Sequence, residues 1–221
     1  MIVVVGNPKG GVGKSTIAVQ LATGISAAGA RVWLVDGDRQ ESSASAMAAR
    51  LQGNRPAVAT AAYYDGTTLH AELTKHAGQF DHVVVDAGGR DSSAFRAAMM
   101  AADVVLVPVM PRSFDVWDVW ALDDMAKLLA EARKVRALRA CAFLNCADVQ
   151  GADNRDAEAV IAGYDGLELL PYRIHRRKAF ANASAAGLHV EEMPRRDPVA
   201  CAEIERLQDA VFGVVSAAAT R

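Results

Sequence analysis

The 221-residue sequence predicts a doubly wound α/β domain, a mostly parallel sheet flanked by helices. Three observations predict it. Short β-branched runs alternate with stretches of helical apolar spacing, the pattern of successive βαβ units. The runs end on Gly, Asp, Asn or Pro, the residues that close strands at a ligand-facing sheet edge. A glycine-rich segment joins the first run to the first helical stretch.

Ile2 to Val5 is a buried parallel strand ended by Gly6. Ser15 to Ala28 carries Ile17, Leu21, Ile25 and Ala28 at helical spacing, and Gly29 stops it. Val32 to Val35 is the second strand, closed by Asp36, and completes a right-handed βαβ crossover. Ser42 to Leu51 is helical and rich in Ala and Met. Residues 53 to 66 read as irregular, with a short strand around Val58. Leu69 to Ala77 is a helix, His82 to Val85 a strand ending at Asp86, and Val104 to Val109 a strand ended by prolines. Val116 to Lys134 is a long helix. Leu138 to Leu144 is a strand ending at Asn145, Asp156 to Ala162 a helix, Leu167 to Leu170 a strand, and Ala200 to Val215 a last helix. No repeat or low-complexity linker divides the chain, so residues 1–221 read as one domain.

Composition narrows the class. Hydrophobic residues are 52% and charged residues 23% of the chain, a globular balance that excludes a disordered or collagen-like polymer. A chain of this length buries roughly 70% of its unfolded surface. The net charge is −2, so any nucleic-acid binding needs a local basic patch. Three cysteines, Cys141, Cys146 and Cys201, lack Cys-x-x-Cys spacing, which argues against a disulfide scaffold, a zinc knuckle or an iron–sulfur cluster and fits a reducing cytosol. His70, His76, His82, His175 and His189 show no metal-ligand spacing. The start, MIVVVGNPKGG, has no basic region or cleavage site and leads directly into a strand, so no signal peptide or preceding domain is expected. No apolar run reaches the ~18 residues that span a bilayer.

The segment Lys9-Gly10-Gly11-Val12-Gly13-Lys14-Ser15-Thr16 carries the chemistry. Glycines let a loop curl so that several N–H groups face one anion, and the helix start adds partial positive charge there. Lys14 reaches the β- and γ-phosphates of a bound nucleotide, and the Ser15 hydroxyl ligates Mg²⁺. Val83-Val84-Val85-Asp86 is an apolar strand ending in a carboxylate, which suits Asp86 to hold Mg²⁺ through water. Asp36 and Asp38 stand at the carboxyl edge of the second strand, where ligands bind or helices are capped.

Pro8 stands where the usual G-x-x-x-x-G-K-(S/T) loop has its first glycine, and Lys9 precedes the glycine pair. This variant resembles the deviant Walker A loop of the ParA/MinD family, KGGxGK(S/T). The resemblance covers nearly the whole chain. It implies a P-loop ATPase that uses ATP and Mg²⁺ and closes into a sandwich dimer, with Lys9 crossing to the partner's nucleotide. Val35-Asp36-Gly37-Asp38-Arg39-Gln40 is similar to the family's DxDxQ segment. It implies that Asp38 places the attacking water and that Asp36 lies near the phosphate–Mg²⁺ site. Gly88-Gly89 replace the prolines that often follow the family's strand aspartate. Residues 105–111 resemble its next strand and Ser113 to Asp115 the loop after it. Asn145 matches the asparagine that reads the adenine edge, and Pro171-Tyr172-Arg173-Ile174 resembles a second base-contacting loop. By resemblance Lys9, Lys14 and Asp38 are catalytic, and Gly10, Gly11, Val12, Gly13, Lys14, Ser15, Thr16, Asn145 and Pro171 bind nucleotide. Ser15, Asp36 and Asp86 serve the metal.

The family's ParA members bind DNA non-specifically as ATP dimers and are reset by a ParB-like partner. On that basis Arg173, Arg176, Arg177, Lys178, Arg195 and Arg196 are the candidate DNA contacts, opposed locally by Glu191, Glu192 and Asp197. Residues 206–216 have one apolar stripe and few cations, so the tail is expected to pack on the domain rather than on a membrane. Trp117 and Trp120 are expected to pack in the core or against a partner. The resemblance implies a small ParA-type DNA-segregation ATPase, cytoplasmic and nucleoid-associated when bound to ATP. Two other readings stay open: a protein of the same fold that positions a non-DNA cargo, and a small ATP-dependent metabolic ligase.

Overall fold

The computed structural model describes residues 1–89, 92–111 and 116–213, and for residues 116–118 the backbone alone. The Arg90 position, the 113–115 loop, the Trp117 side chain and the tail beyond residue 213 lie outside the described residues. The strands are β1 (Ile2–Val5), β2 (Val32–Asp36), β3 (Ala59–Ala62), β4 (His82–Asp86), β5 (Val104–Val109), β6 (Arg139–Ala147) and β7 (Glu168–His175). They form one sheet in the order β3-β2-β4-β1-β5-β6-β7, and every pairing is parallel. The helices are α1 (Lys14–Ala27), α2 (Ser42–Gln52), α3 (Gly66–His76), α4 (Ser93–Ala101), α5 (Val116–Val135), α6 (Ala152–Ile161), α7 (Lys178–Ala185) and α8 (Pro198–Phe212).

Strand periodicity sends alternate residues to opposite faces. Val3, Val5, Leu34, Leu106 and Phe143 join Ile17 and Leu21 of α1, Met47 of α2, Phe180 of α7 and Ile204 of α8 in one core. Val4, Val35, Val85, Val105 and Leu144 join Leu69 of α3, Met99 of α4, Met125 of α5 and Ile161 of α6 in the other. A sheet buried on both faces needs continuous apolar strands, which explains the runs Ile2–Val5 and Val83–Val85. Each fully buried Leu or Phe contributes about 2 kcal/mol of transfer free energy. β1 lies between β4 and β5, where the winding direction reverses, and its carboxyl end opens into the crevice at which such sheets bind ligands.

The short strand expected around Val58 is β3, an edge strand that begins just after it. Two differences from the sequence expectation matter. β7 runs on to His175 through Pro171, so the expected base-contacting loop 171–174 is strand. Its pairing jumps from Ala142↔Leu169 to Leu144↔Arg173, a bulge that absorbs two extra residues. Pro171 is tolerated there because β7 is an edge strand. Helices α4 and α7 were not expected. α4 begins at a Ser92 cap whose hydroxyl accepts from Phe95 N at 3.2 Å. α8 packs Ala200, Ile204, Leu207 and Val211 on the core, as expected of the tail up to Phe212. Among the described residues no helix is long and apolar enough to cross a membrane.

Candidate nucleotide-binding site

β1 delivers the chain into the loop 6–13, and α1 leaves it at Lys14. Asn7 is buried and pins the loop on both sides: its amide donates to Pro108 O at 2.9 Å, and its oxygen accepts from Lys9 N at 2.8 Å. Gly13 closes the loop with φ of 87°, in the left-handed region, and a β-carbon there would collide with the Asn145 amide. Lys14 is only 8% exposed, and its ammonium donates to Lys9 O at 3.0 Å. Burial lowers its pKa, while Asp86 and then Asp38 oppose the drop. The lysine charge therefore sits in the loop with two carboxylates in its field.

Asp36 and Asp86 are neighbours on adjacent strands, paired in register and both fully buried, yet they differ in their partners. Asp36 accepts Asp38 N at 3.0 Å on one oxygen and Ala44 N at 2.9 Å on the other. The structure thus gives Asp36 the job of closing the turn into α2, a role the metal expectation did not include. Among the described residues Asp86 has no hydrogen-bond partner on either oxygen. Its pKa is pushed up to about 7, chiefly by burial and then by the Asp36 charge. Ser15, Ser43 and Lys14 oppose the rise, and the serine hydroxyls beside it close no bond of ordinary geometry; the Ser43 hydroxyl is itself buried and unpaired.

An orphaned buried carboxylate next to two hydroxyls fits Mg²⁺, which takes one or two protein ligands and completes its shell with phosphate and water. Among the described residues no group of three acidic, His or Cys side chains forms a ready-made metal cage, which suits an ion that arrives with its phosphates. Ser43 was not singled out in the sequence. The signal available was its place in the first turn of the helix that follows the Asp36–Asp38 turn.

Asp38 is half-buried, and one of its oxygens accepts Gln40 N at 3.0 Å. It lines a cavity of about 300 Å³ with Arg39, Tyr64, Gly88, Gly89 and Ser92. Lys9 is half-buried at the loop's outer turn, next to exposed Gly10 and Gly11. Val12 is buried, and Ser15 and Thr16 open α1 half-buried. Asn145 is buried, and its amide donates to Val12 O at 2.7 Å. It thereby braces the phosphate loop from the far strand. Cys146, the next residue, has φ of 53°, a strained conformation directly beside the site. Pro171 is exposed and lines a separate groove with Tyr172, Pro198 and Arg206, so it is not gathered into the loop site.

The candidate DNA contacts divide. Arg173 is bidentate to Glu158 at 2.7 Å, and Arg177 pairs with Asp197 at 3.2 Å and with buried Glu203. Arg176 is exposed and donates to Met110 Sδ at 3.6 Å. Lys178, Arg195 and Arg196 are exposed, with no ion pair among the described residues.

The loop's geometry, its buried lysine and the unpaired aspartate beside it all serve a polyphosphate and its cation, which places the chain among P-loop nucleotide-binding proteins. Residues 3–190 match the family model described as the CobQ/CobB/MinD/ParA nucleotide binding domain, and the chain belongs to that family. The protein is 30% identical over 213 residues to the maintenance of carboxysome distribution protein A of Halothiobacillus neapolitanus, with 94% of each chain covered. It is 33% identical over 158 residues to the chromosome-partitioning ATPase Soj of Thermus thermophilus, covering 59% of this chain and 61% of Soj. Among solved structures, an aspartate-to-alanine variant of McdA from Cyanothece in complex with ATP superimposes with a TM-score of 0.74 at 15% identity, covering 96% of both chains.

Proposed function

We propose that this protein is a Mg-ATP-dependent dimerisation switch that distributes a large cargo inside the cell. Asp86 carries the ATPase part of the reading: a carboxylate buried without a partner beside Ser15, Ser43 and Lys14 is built for a cation that accompanies phosphate. Ser15 and Asp86 would hold Mg²⁺, which neutralises phosphate charge when bound. The loop amides and Lys14 hold the β- and γ-phosphates. Lys9 reaches the nucleotide of a second copy. Asp38 orients a water for attack on the γ-phosphorus, and the bond to the bridging oxygen breaks to release ADP and inorganic phosphate. Loss of the γ-phosphate weakens the dimer, so hydrolysis resets the switch. An adaptor protein on the cargo times that step.

Similarity over 94% of both chains to a carboxysome distribution protein supports the cargo reading. The test is deletion of the gene in its host, followed by two measurements in the same cells. Loss of even spacing of large protein assemblies, with normal inheritance of DNA, is the expected result. Normal spacing with loss of a plasmid or chromosome marker would overturn it.

A second reading, DNA segregation, rests on the partial similarity to Soj and on exposed Lys178, Arg195 and Arg196, which form no ion pair among the described residues. In either reading these residues are the candidates for a non-specific DNA track. Salt-sensitive binding to random duplex with Mg-ATP, and none with Mg-ADP, is the expected outcome.

A further inference from the structure

The turn that presents Asp38 is held by a contact from outside it. Asp38 O accepts Glu41 N at 3.0 Å, and an Asp38 carboxylate oxygen accepts Gln40 N at 3.0 Å. Glu41 closes this turn with φ of 52°, a left-handed conformation that a non-glycine residue adopts only when its surroundings hold it there. Its own side chain caps no helical amide of α2. It accepts a hydrogen bond from the Tyr64 hydroxyl instead. Tyr64 is placed from both sides. Tyr63 N donates to Asp36 O at 2.9 Å, and Gly66 N donates to Ser93 Oγ at 3.1 Å. Tyr64, Asp38 and Ser93 line the same cavity.

We infer that Tyr64 is a positioning residue for hydrolysis: through Glu41 it latches the 38–41 turn, so that the Asp38 carboxylate stands at the cavity where water attacks. The inference rests on the ATPase reading above. The Tyr64 pKa is pushed up to about 12, mainly by the bond to Glu41, so the hydroxyl keeps its proton and remains a donor at physiological pH. The edge strand β3 thereby gains a purpose beyond packing, since it leads the chain into Tyr64 beside the site.

The test compares wild type, Tyr64→Phe, and Tyr64→Phe combined with Glu41→Gly. Turnover, ATP affinity and amide hydrogen exchange of residues 38–44 without nucleotide are measured for each. Tyr64→Phe is expected to lower kcat about 3- to 10-fold, leave KM and the nucleotide Kd unchanged, and speed exchange in the turn. Adding Glu41→Gly is expected to restore kcat to within about twofold, because glycine adopts the left-handed conformation without a latch. Unchanged kcat and exchange in Tyr64→Phe would overturn the inference, as would equal losses in kcat and affinity, or a double variant as slow as the single. Wild type that binds Mg-ATP but never turns it over would overturn the ATPase reading and this inference with it. Wild-type turnover with an unaffected Tyr64→Phe would overturn this inference alone.

Discussion

The phosphate loop and the arginine-rich region at the end of β7 both gather charge, and they treat it in opposite ways. At the loop, Asp86 is buried with both oxygens unpaired, and Lys14 is buried on a backbone carbonyl. There, Arg173 within β7 and Arg177 just after it are matched to Glu158, Asp197 and Glu203. A buried carboxylate without a partner is costly to a fold when charged, which is why Asp86 holds its proton up to about pH 7. A site that keeps one is poised for a ligand, whereas a matched arginine is already occupied with structure. The same logic separates Asp36 from Asp86, two aspartates in register on neighbouring strands.

The largest effect expected from this contrast is at Lys14. Lys14→Ala should weaken Mg-ATP binding on the order of 100-fold or more, since two charge-assisted contacts to phosphate disappear. Calorimetric titration checks it, and affinity within threefold of wild type would break the comparison at its strongest point. Next comes Asp38→Ala, expected to slow hydrolysis on the order of 100-fold while ATP affinity stays within about twofold. If the variant fails to bind ATP, Asp38 belongs to the binding cradle.

Asp86 supplies a pH test. Its pKa rises from 3.8 unfolded to about 7 folded, so the native state holds the extra proton between those values. The contribution to stability is fully present below about pH 4 and is lost as pH rises through 7, a change on the order of a few kcal/mol. Buried His189 works the other way: desolvation lowers its pKa to about 4, so its contribution is present above 6.5 and lost as pH falls through 4. The informative quantity is therefore the difference between wild type and Asp86→Asn, which cancels His189. The Tm gap in favour of Asp86→Asn should widen by several degrees between pH 5 and pH 8, as followed by thermal unfolding without nucleotide.

The smallest effect separates the two kinds of arginine. Removing Arg195 and Arg196 together should reduce the salt slope of DNA binding by about 2. Arg173→Ala should leave that slope unchanged and cost no more than about 1 kcal/mol of stability, because its ion pair is solvent-screened. Fluorescence anisotropy at several salt concentrations, with a parallel denaturation curve, distinguishes the two.

The central strands were readable in the sequence because a doubly covered sheet demands unbroken apolar runs, and Val104–Val109 matches its expected bounds. β7 was shortened because Pro171 signals a turn, and only the paired register of β6 reveals the bulge that keeps it in the sheet. α7 was hidden in a stretch read for its charges, although Phe180 and Ala183 bury its inner face. The loop motif located Lys14 and Ser15 directly. The brace from Asn145 to Val12 joins residues 133 positions apart, and no local pattern encodes such a contact. The Tyr64–Glu41 bond was invisible for a related reason: it depends on β3 pairing beside β2.

The central place of β1 also bears on the order of events during synthesis. β1 leaves the ribosome well before the two strands it hydrogen-bonds with, since Val3 pairs with both Val84 and Val104. Distant partners must be brought together before those contacts repay the closure entropy. Until β5 has emerged, the glycine loop hangs from a strand with one side bare, and the Asn145 brace arrives later still. Nascent chains halted before Val104 should therefore fail to capture nucleotide, and chaperones would meet this protein with its most apolar segment exposed and waiting.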